Sequence, residues 1–476
     1  MSSRLKFATL GAAVVVLAYG AASWYAGRLA QQSIQSWVDR ANQEIQSRWD
    51  DPAAPGPKLA LDDYQRGIFT SQVRYVFEYR DADGAAQRLV VQDALQHGPW
   101  PAAAVQAGIW RPLAAYSRLQ PVADGPWKPW FDRMPDAQAP WHAVTQVGFD
   151  GRVDSLVTVL PVRIQDDGLL DFSGGTLAIH HEPGARLTQV SGQAQALSLE
   201  TDDASKVQLR DIQFQGRSTR SGEDGFQSTQ EIQLASVQLD GTDMPGVRLD
   251  QPSARVDVAR TGSLMDAQVQ YDFGKLLIDR QDMGVIQLKA SSQQLDVDAV
   301  QALGLALGQL PDDFDYDQLG SAEQQALKTR VLSVLATSPV LSLDSLSWAT
   351  PKGKTDLRLR VQLRPVADPV PDDPGALIER GIQQVKFGAG VSKPMLVSLL
   401  AQLQSSNEGA FGAALFSMLF DQYADRLQRA GLAQAQDGQM RTEATYADGL
   451  VSVNGQAAVT PEDLSQQLAA VLGLED

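Results

Sequence analysis

Side chains able to do chemistry are few in this chain, and their spacing works against them. Histidine occurs only at His97, His142, His180 and His181. His180 and His181 are neighbours in a segment that reads as a strand, so they point to opposite faces and cannot grip one metal together. Glu182 follows them, but the spacing is not that of a helical zinc site. Asp312, Asp313, Asp315 and Asp317 superficially match a calcium loop. Counting from Asp313, however, Gln318 falls where glycine is needed and Gln324 where a bidentate glutamate is needed. An acidic surface turn is the reading taken, with weak calcium binding as its rival. The chain lacks cysteine, which removes disulfides, thiolate metal sites and a thiol nucleophile together. The sequence holds no G-x-S-x-G, Walker or G-x-G-x-x-G pattern. No catalytic residue, cofactor or metal is assigned. A carboxylate-pair hydrolase is the minor alternative, because abundant acids make some close pair inevitable.

Composition narrows the partners. The 476 residues carry a net charge of −17, so the chain repels phosphate backbones and nucleic acid is excluded as a partner. Hydrophobic residues make up 43%, enough for a sizeable core.

The first element to position anything is N-terminal. Phe7 to Tyr25 is a run of 19 residues without a charge, which as a helix spans about 28 Å, close to the hydrocarbon thickness of a bilayer. Phe7, Leu10, Val14 and Leu17 would face lipid, and Trp24 and Tyr25 would sit at the far interface. Arg4 and Lys6 precede the run and place the N-terminus in the cytoplasm, with the rest of the chain in the periplasm of a bacterial inner membrane. A cleaved signal peptide is the competing reading. Helical spacing of Leu29, Ile34, Trp37, Val38, Ala41 and Ile45 predicts a stalk that continues the anchor. The Pro-rich stretch Asp51–Lys58 then forms a linker.

From Leu59 the period changes to two. Ile68, Val73, Tyr75, Phe77 and Tyr79 alternate with polar residues, and a hairpin through Ala82-Asp83-Gly84 leads to a second strand at Arg88–Gln92. Residues 97–142 are rich in tryptophan and proline and read as an irregular excursion with a short helix at Ala102–Trp110, its tryptophans packing onto the sheet. Strands are expected at Val144–Phe149, Ser155–Ile164, Leu169–Ile179, Leu187–Leu199, Val207–Phe214, Glu231–Leu239, Val247–Val258, Ala267–Phe273, Lys275–Asp279 and Val285–Leu295. The last third mixes helices at Asp298–Gln309, Ala322–Ala336, Met395–Leu403 and Ala410–Leu427 with strands at Leu341–Trp348 and Asp356–Leu363. A hairpin of Met440–Tyr446 and Leu450–Val453 follows, and a closing helix at Pro461–Leu472 is capped by Thr460. The helix at 410–427 has Phe411, Leu415, Leu419, Tyr423 and Arg426-Leu427 on or near one face and is expected to pack it against the core, with covering an apolar groove as the alternative. The fold class expected is α+β, mainly β: a transmembrane helix, then an extended twisted antiparallel sheet, with helices in the C-terminal third. The expected divisions are 1–27, 28–58, 59–297 and 298–476.

Several segments resemble the YdgA-like family of bacterial envelope proteins. Ala22-Ser23-Trp24-Tyr25-Ala26-Gly27 is similar to the family's Trp-Tyr-x-Gly exit from the membrane. Tyr64-Gln65-Arg66-Gly67-Ile68-Phe69-Thr70-Ser71 is similar to its Tyr-x-Arg-Gly-aliphatic-Phe-x-Ser entry into the first strand. His97-Gly98-Pro99-Trp100-Pro101 is similar to its His-Gly-Pro-aromatic-Pro. Phe172-Ser173-Gly174-Gly175, Ser191-Gly192 and the strand ending in Trp348 follow in the expected order. The resemblance implies an inner-membrane-anchored periplasmic protein and supplies no reaction. At the motif positions, Gly67 is expected to permit a bulge, Tyr64 and Phe69 to pack the strand entry, Arg66 to pair with Asp62 or Asp63, and His97 to cap a turn. Ser71, Gly98 and Pro99 complete the set. The resulting expectation is a non-enzymatic module in the envelope that holds lipid or another apolar ligand along its sheet. A protein-interaction domain docking a periplasmic partner is the alternative.

Overall fold

The computed structural model describes residues 56–80, 84–135, 138–166, 168–201, 205–222, 224–242, 244–308, 316, 319–371, 374–403 and 407–472, together with parts of a helix between 28 and 46. The expected membrane anchor at Phe7–Tyr25, most of the linker and the acidic residues Asp312, Asp313, Asp315 and Asp317 lie outside the described residues. Among the described residues no helix is long and apolar enough to cross a membrane.

The chain is mainly β and antiparallel and forms two compact units, residues 1–217 and 218–476. The first unit is a meander of β1 (Lys58–Arg66), β2 (Thr70–Arg80), β3 (Ala86–His97), β4 (Ala115–Pro121), β5 (Trp141–Val147), β6 (Val153–Val159), β7 (Val162–Asp166), β8 (Gly168–Phe172), β9 (Gly175–Glu182) and β10 (Leu187–Thr201). Each of β1 to β5 pairs with the next, and β6 pairs with β5 and β9. The spans expected as single strands at 155–164 and 169–179 are each broken once. Leu160-Pro161 separates β6 from β7, and Ser173-Gly174 separates β8 from β9. Proline removes a ladder donor at the first break. At the second, Gly174 adopts φ +80°, and a Cβ there would meet the Val159 carbonyl oxygen at 2.7 Å, so glycine is required where the two kinks touch.

The excursion between β3 and β5 contains a strand of its own, β4, plus two short helices, α1 (Ala102–Gln106) and α2 (Lys128–Arg133). It packs through Ala104, Leu113 and Tyr116 against Val144. Its tryptophans divide. Trp127 meets Trp130 and Trp141 edge-on, whereas Trp110 is 72% exposed and its carbonyl accepts the Trp100 indole N–H at 3.0 Å. Packing of all five tryptophans onto the sheet was the expectation, and Trp100, 47% exposed, and Trp110 depart from it.

On the outer edge of β1 a side chain caps one residue, Leu59. Asn42, in the helical part of 28–46, donates to the Leu59 carbonyl at 2.7 Å and accepts the Leu59 N–H at 2.8 Å. An amide can satisfy both groups of one edge residue, which blunts an otherwise open strand.

β11 (Lys206–Ser221) leads onward. The second unit contains β12 (Gly225–Gln233), β13 (Ser236–Asp240), β14 (Val247–Asp250), β15 (Ser253–Thr261), β16 (Leu264–Ile278), β17 (Gln281–Asp296), β18 (Val340–Thr350), β19 (Gly353–Leu363), β20 (Ile382–Ser392), β21 (Gln434–Gln436), β22 (Gln439–Ala447) and β23 (Leu450–Val453). Six helices are interspersed: α3 (Val297–Gly308), α4 (Ser321–Leu335), α5 (Pro374–Gly381), α6 (Lys393–Leu403), α7 (Asn407–Arg429) and α8 (Pro461–Leu472). The spatial order is β12-β15-β16-β17-β18-β19-β20-β22-β23, antiparallel throughout. The two strands expected at 267–273 and 275–279 are one, β16, with a bulge at Phe273-Gly274. Helix α6 covers one end of the sheet, where Met283, Met395 and Leu399 are buried against Leu276 and Trp348.

Candidate functional site

In the first unit the motif residues converge. Strict alternation along β2 and β3 puts Ser71, Val73 and Tyr75 on the same face as Asp93, Leu95 and His97, because Val73 pairs with Asp93 and Ser71 with Leu95. Tyr64 joins them opposite Val73, and Ser117 joins opposite Leu95. This face is apolar and buried apart from these polar groups, and each polar group must find a partner there. Ser71 Oγ and His97 Nε2 lie 3.1 Å apart. Ser117 Oγ donates to Asp93 Oδ1 at 2.6 Å. Burial pushes the Asp93 carboxyl above its usual range, against the opposing hydrogen bonds from Ser117 and the Arg118 backbone. Burial also raises the Tyr75 phenol, aided by Asp93 and Tyr64. The Tyr64 hydroxyl is buried beside Ser71 without a partner in hydrogen-bond geometry, and burial raises its pKa despite the nearby Ser71 hydroxyl and the Arg66 charge.

A serine paired with a histidine is the start of a nucleophile. Here Ser71 is 2% exposed and His97 1%, so no substrate carbonyl can approach, and the pair instead ties β2 to β3.

The remaining motif positions are structural in other ways. Gly67 is not the bulge, which lies at Leu61/Asp63 in β1. A Cβ on Gly67 would meet the Thr70 carbonyl oxygen at 2.8 Å, the same oxygen that accepts the Gly67 N–H at 2.7 Å. Phe69 is exposed, and its backbone carbonyl accepts the His97 N–H at 2.9 Å. Asp62 pairs with Arg74 at 3.4 Å and Asp63 accepts from Gln65. Gly98 takes φ +119°, and the Pro99 carbonyl accepts the Leu113 N–H. His180 and His181 point to opposite faces as expected. His180 Nδ1 meets Asp154 at 2.6 Å, and His181 Nδ1 meets Thr188 at 2.9 Å. Arg111 also reaches Asp154, at 2.7 Å. Burial raises the Asp154 pKa, and the hydrogen bonds and charges of Arg111 and His180 together bring it below the ordinary value. No group of three metal-ligating side chains occurs among the described residues.

The second unit carries a different kind of site. Reading across the strands by register, Val256 faces Val269, which faces Ala290. Ala290 faces Leu343, Leu343 faces Leu359, and Leu359 faces Phe387. Phe387 faces Ala444, and Ala444 faces Val453. The neighbouring row on this face holds Ile232, Ala254, Tyr271, Leu288, Leu346 and Leu357. One residue along, the other face reads Thr229, Asp257, Gln268, Ser291, Ser342, Arg360, Lys386 and Thr445. Alternation this complete gives the unit one apolar face about 34 Å long from β15 to β23. Burial would be its ordinary fate. Yet Leu359 remains 38% exposed and Tyr271 42%.

At the β20–β23 end the face deepens into a cavity of about 360 Å³, bounded by Phe387, Val391, Met440, Leu427 of α7, and Leu464 and Leu468 of α8. That is a volume typical of small-molecule pockets. No carboxylate lines it.

Sequence reasoning missed Asp93, Ser117 and the Ser71–His97 pairing. The signal was available in Val91, Asp93, Leu95 and His97, where an acid and an imidazole sit at positions whose neighbours two residues away are apolar.

Each unit is an antiparallel β-structure: the first holds a buried polar cluster on β2, β3 and β4, and the second an apolar face partly open to solvent. The chain belongs to the family described as "Bacterial protein of unknown function (DUF945)", which it matches over residues 4–460. It is 22% identical over 462 residues to Protein YdgA of Escherichia coli (strain K12), covering 91% of this chain and 90% of that protein. No solved structure matches.

Proposed function

We propose that this chain is a non-enzymatic binding module of the bacterial envelope that holds an acyl-chain-like ligand on the apolar face of its second unit. The observation that carries the reading is the eight-strand row from Val256 to Val453, apolar at every position and partly open to solvent. Soluble proteins rarely leave so large a contiguous apolar surface uncovered unless it binds something. A flexible hydrocarbon chain suits a long shallow face with a deeper pocket at one end. The uncharged N-terminal run Phe7–Tyr25 supports an inner-membrane anchor with the folded units in the periplasm, next to a supply of such ligands.

Lipid extraction and mass spectrometry of the purified full-length protein test this. A defined amphiphile should co-purify in stoichiometric amount and be lost when Ala444→Trp fills the cavity. Equal lipid content in wild type and Ala444→Trp, or none in either, would sink the reading.

A further inference from the structure

Helix α7 inverts the usual arrangement of an amphipathic helix. Its buried positions are small residues, Ala413 and Ala424, and Phe416, Phe420 and Leu427 are half-buried, while other large apolar side chains face outward, with Phe411 71% and Met418 60% exposed. Leu415, Leu419 and Tyr423 are exposed too, contrary to the core-facing role their spacing suggests. The helix is also divided along its axis. Residues 409–420 (GAFGAALFSMLF) contain no charge, and residues 421–429 (DQYADRLQR) contain four. An uncharged helical run of this length belongs in a protein core or at a membrane interface. The exposure of Phe411 and Met418 rules out the core.

We propose that the uncharged half of α7 is a membrane-contacting surface that enters the boundary between headgroups and acyl chains of a lipid bilayer. Three features favour hydrocarbon over a protein partner. From Phe411 to Phe420 the sequence supplies a single polar side chain, Ser417, to give a protein partner register. Tyr423 lies at the junction of the two halves with the Arg426 guanidinium 5.9 Å from its ring centre, the placement an aromatic takes at a polar–apolar boundary. Three of the four charges of the other half are paired within the protein: Asp421 with Lys393 at 2.6 Å and Asp425 with Arg429. Contact therefore depends on burying apolar surface and not on anionic headgroups. On steps of four residues from Phe411 the ridge passes Leu415, Leu419 and Tyr423 and ends at Leu427, which lines the cavity. That continuity makes α7 a route by which a chain could pass from bilayer to cavity. This loading role rests on the function proposed above, and the membrane contact does not.

The chain has no cysteine, so Met418→Cys and Gln428→Cys can each carry a single environment-sensitive fluorophore. With the full-length protein reconstituted into phosphatidylcholine vesicles, the dye at 418 is expected to shift to the blue and to be quenched by nitroxide-labelled acyl chains. The dye at 428 is expected to stay water-like, and added salt should change neither. Quenching no greater at 418 than at 428 overturns the proposal. So does a blue shift at 418 that nitroxide lipids do not quench, which would mean that protein covers α7. Because neither readout involves the cavity, an empty cavity in the lipid-extraction experiment would leave this result standing.

Discussion

Single residues in the first unit hold the sheet together through a few buried polar contacts. Ser71→Ala leaves His97 Nε2 buried without that partner and should cost about 1–3 kcal/mol, read as a lower denaturant midpoint with an unchanged slope. Asp93 gives a prediction in pH. Its folded pKa is raised by burial, so the folded state binds the proton more tightly than the unfolded chain. The associated stability is fully present below the ordinary aspartate pKa and is lost as pH rises through the raised value. Asp93→Asn keeps an acceptor for Ser117 and removes the titration. Its stability relative to wild type should therefore increase across that interval and then level off. A difference that stays flat with pH would show that Asp93 is not the strained acid the geometry makes it. The sequence hid this cluster because Ser71, Asp93 and Ser117 are far apart in the chain and ordinary as residue types. Only the register brings them onto one face.

Many elements were legible where period two ran unbroken, and several were obscured where glycine or proline interrupted it. The span expected as one strand at 231–239, however, is two, β12 and β13, broken at Leu234-Ala235. The helix at Pro461–Leu472 begins and ends as expected, and Thr460 accepts the Asp463 N–H at 3.1 Å. Strand β20 escaped notice because Gly388 and Gly390 remove two side chains from its pattern, and β4 was concealed by the prolines around it. Helix α7 was recognised, but its orientation was reversed, since spacing reveals a stripe without saying which way it faces. Two element-scale predictions follow from backbone geometry. Gly284 adopts φ +89° in β17 against the Ala349 carbonyl of β18. Gly284→Ala should then destabilise by more than about 1 kcal/mol, from both the left-handed backbone and the clash, visible in thermal melts. Asn42→Ala should leave the Leu59 N–H and carbonyl on an open edge, and amide exchange at Leu59 should accelerate while that of Val76, paired in mid-sheet, stays slow.

For the whole molecule, neither the acidic charge nor the sequence motifs assign an activity. Family membership and a mainly antiparallel β fold were legible from Tyr64–Ser71, His97–Pro101 and the alternating strands. What the strands enclose was not, because alternation predicts an apolar face but says nothing of whether it is covered. The structure leaves that face partly open in the second unit, and the account turns on what occupies it. A photoreactive residue introduced at Leu359, on the apolar face, and another at the adjacent Arg360, on the polar face, can be irradiated in living cells and the adducts identified by mass spectrometry. The account predicts lipid-mass adducts at position 359 and none at 360. Protein adducts alone at 359, or the same adducts at both positions, would contradict it.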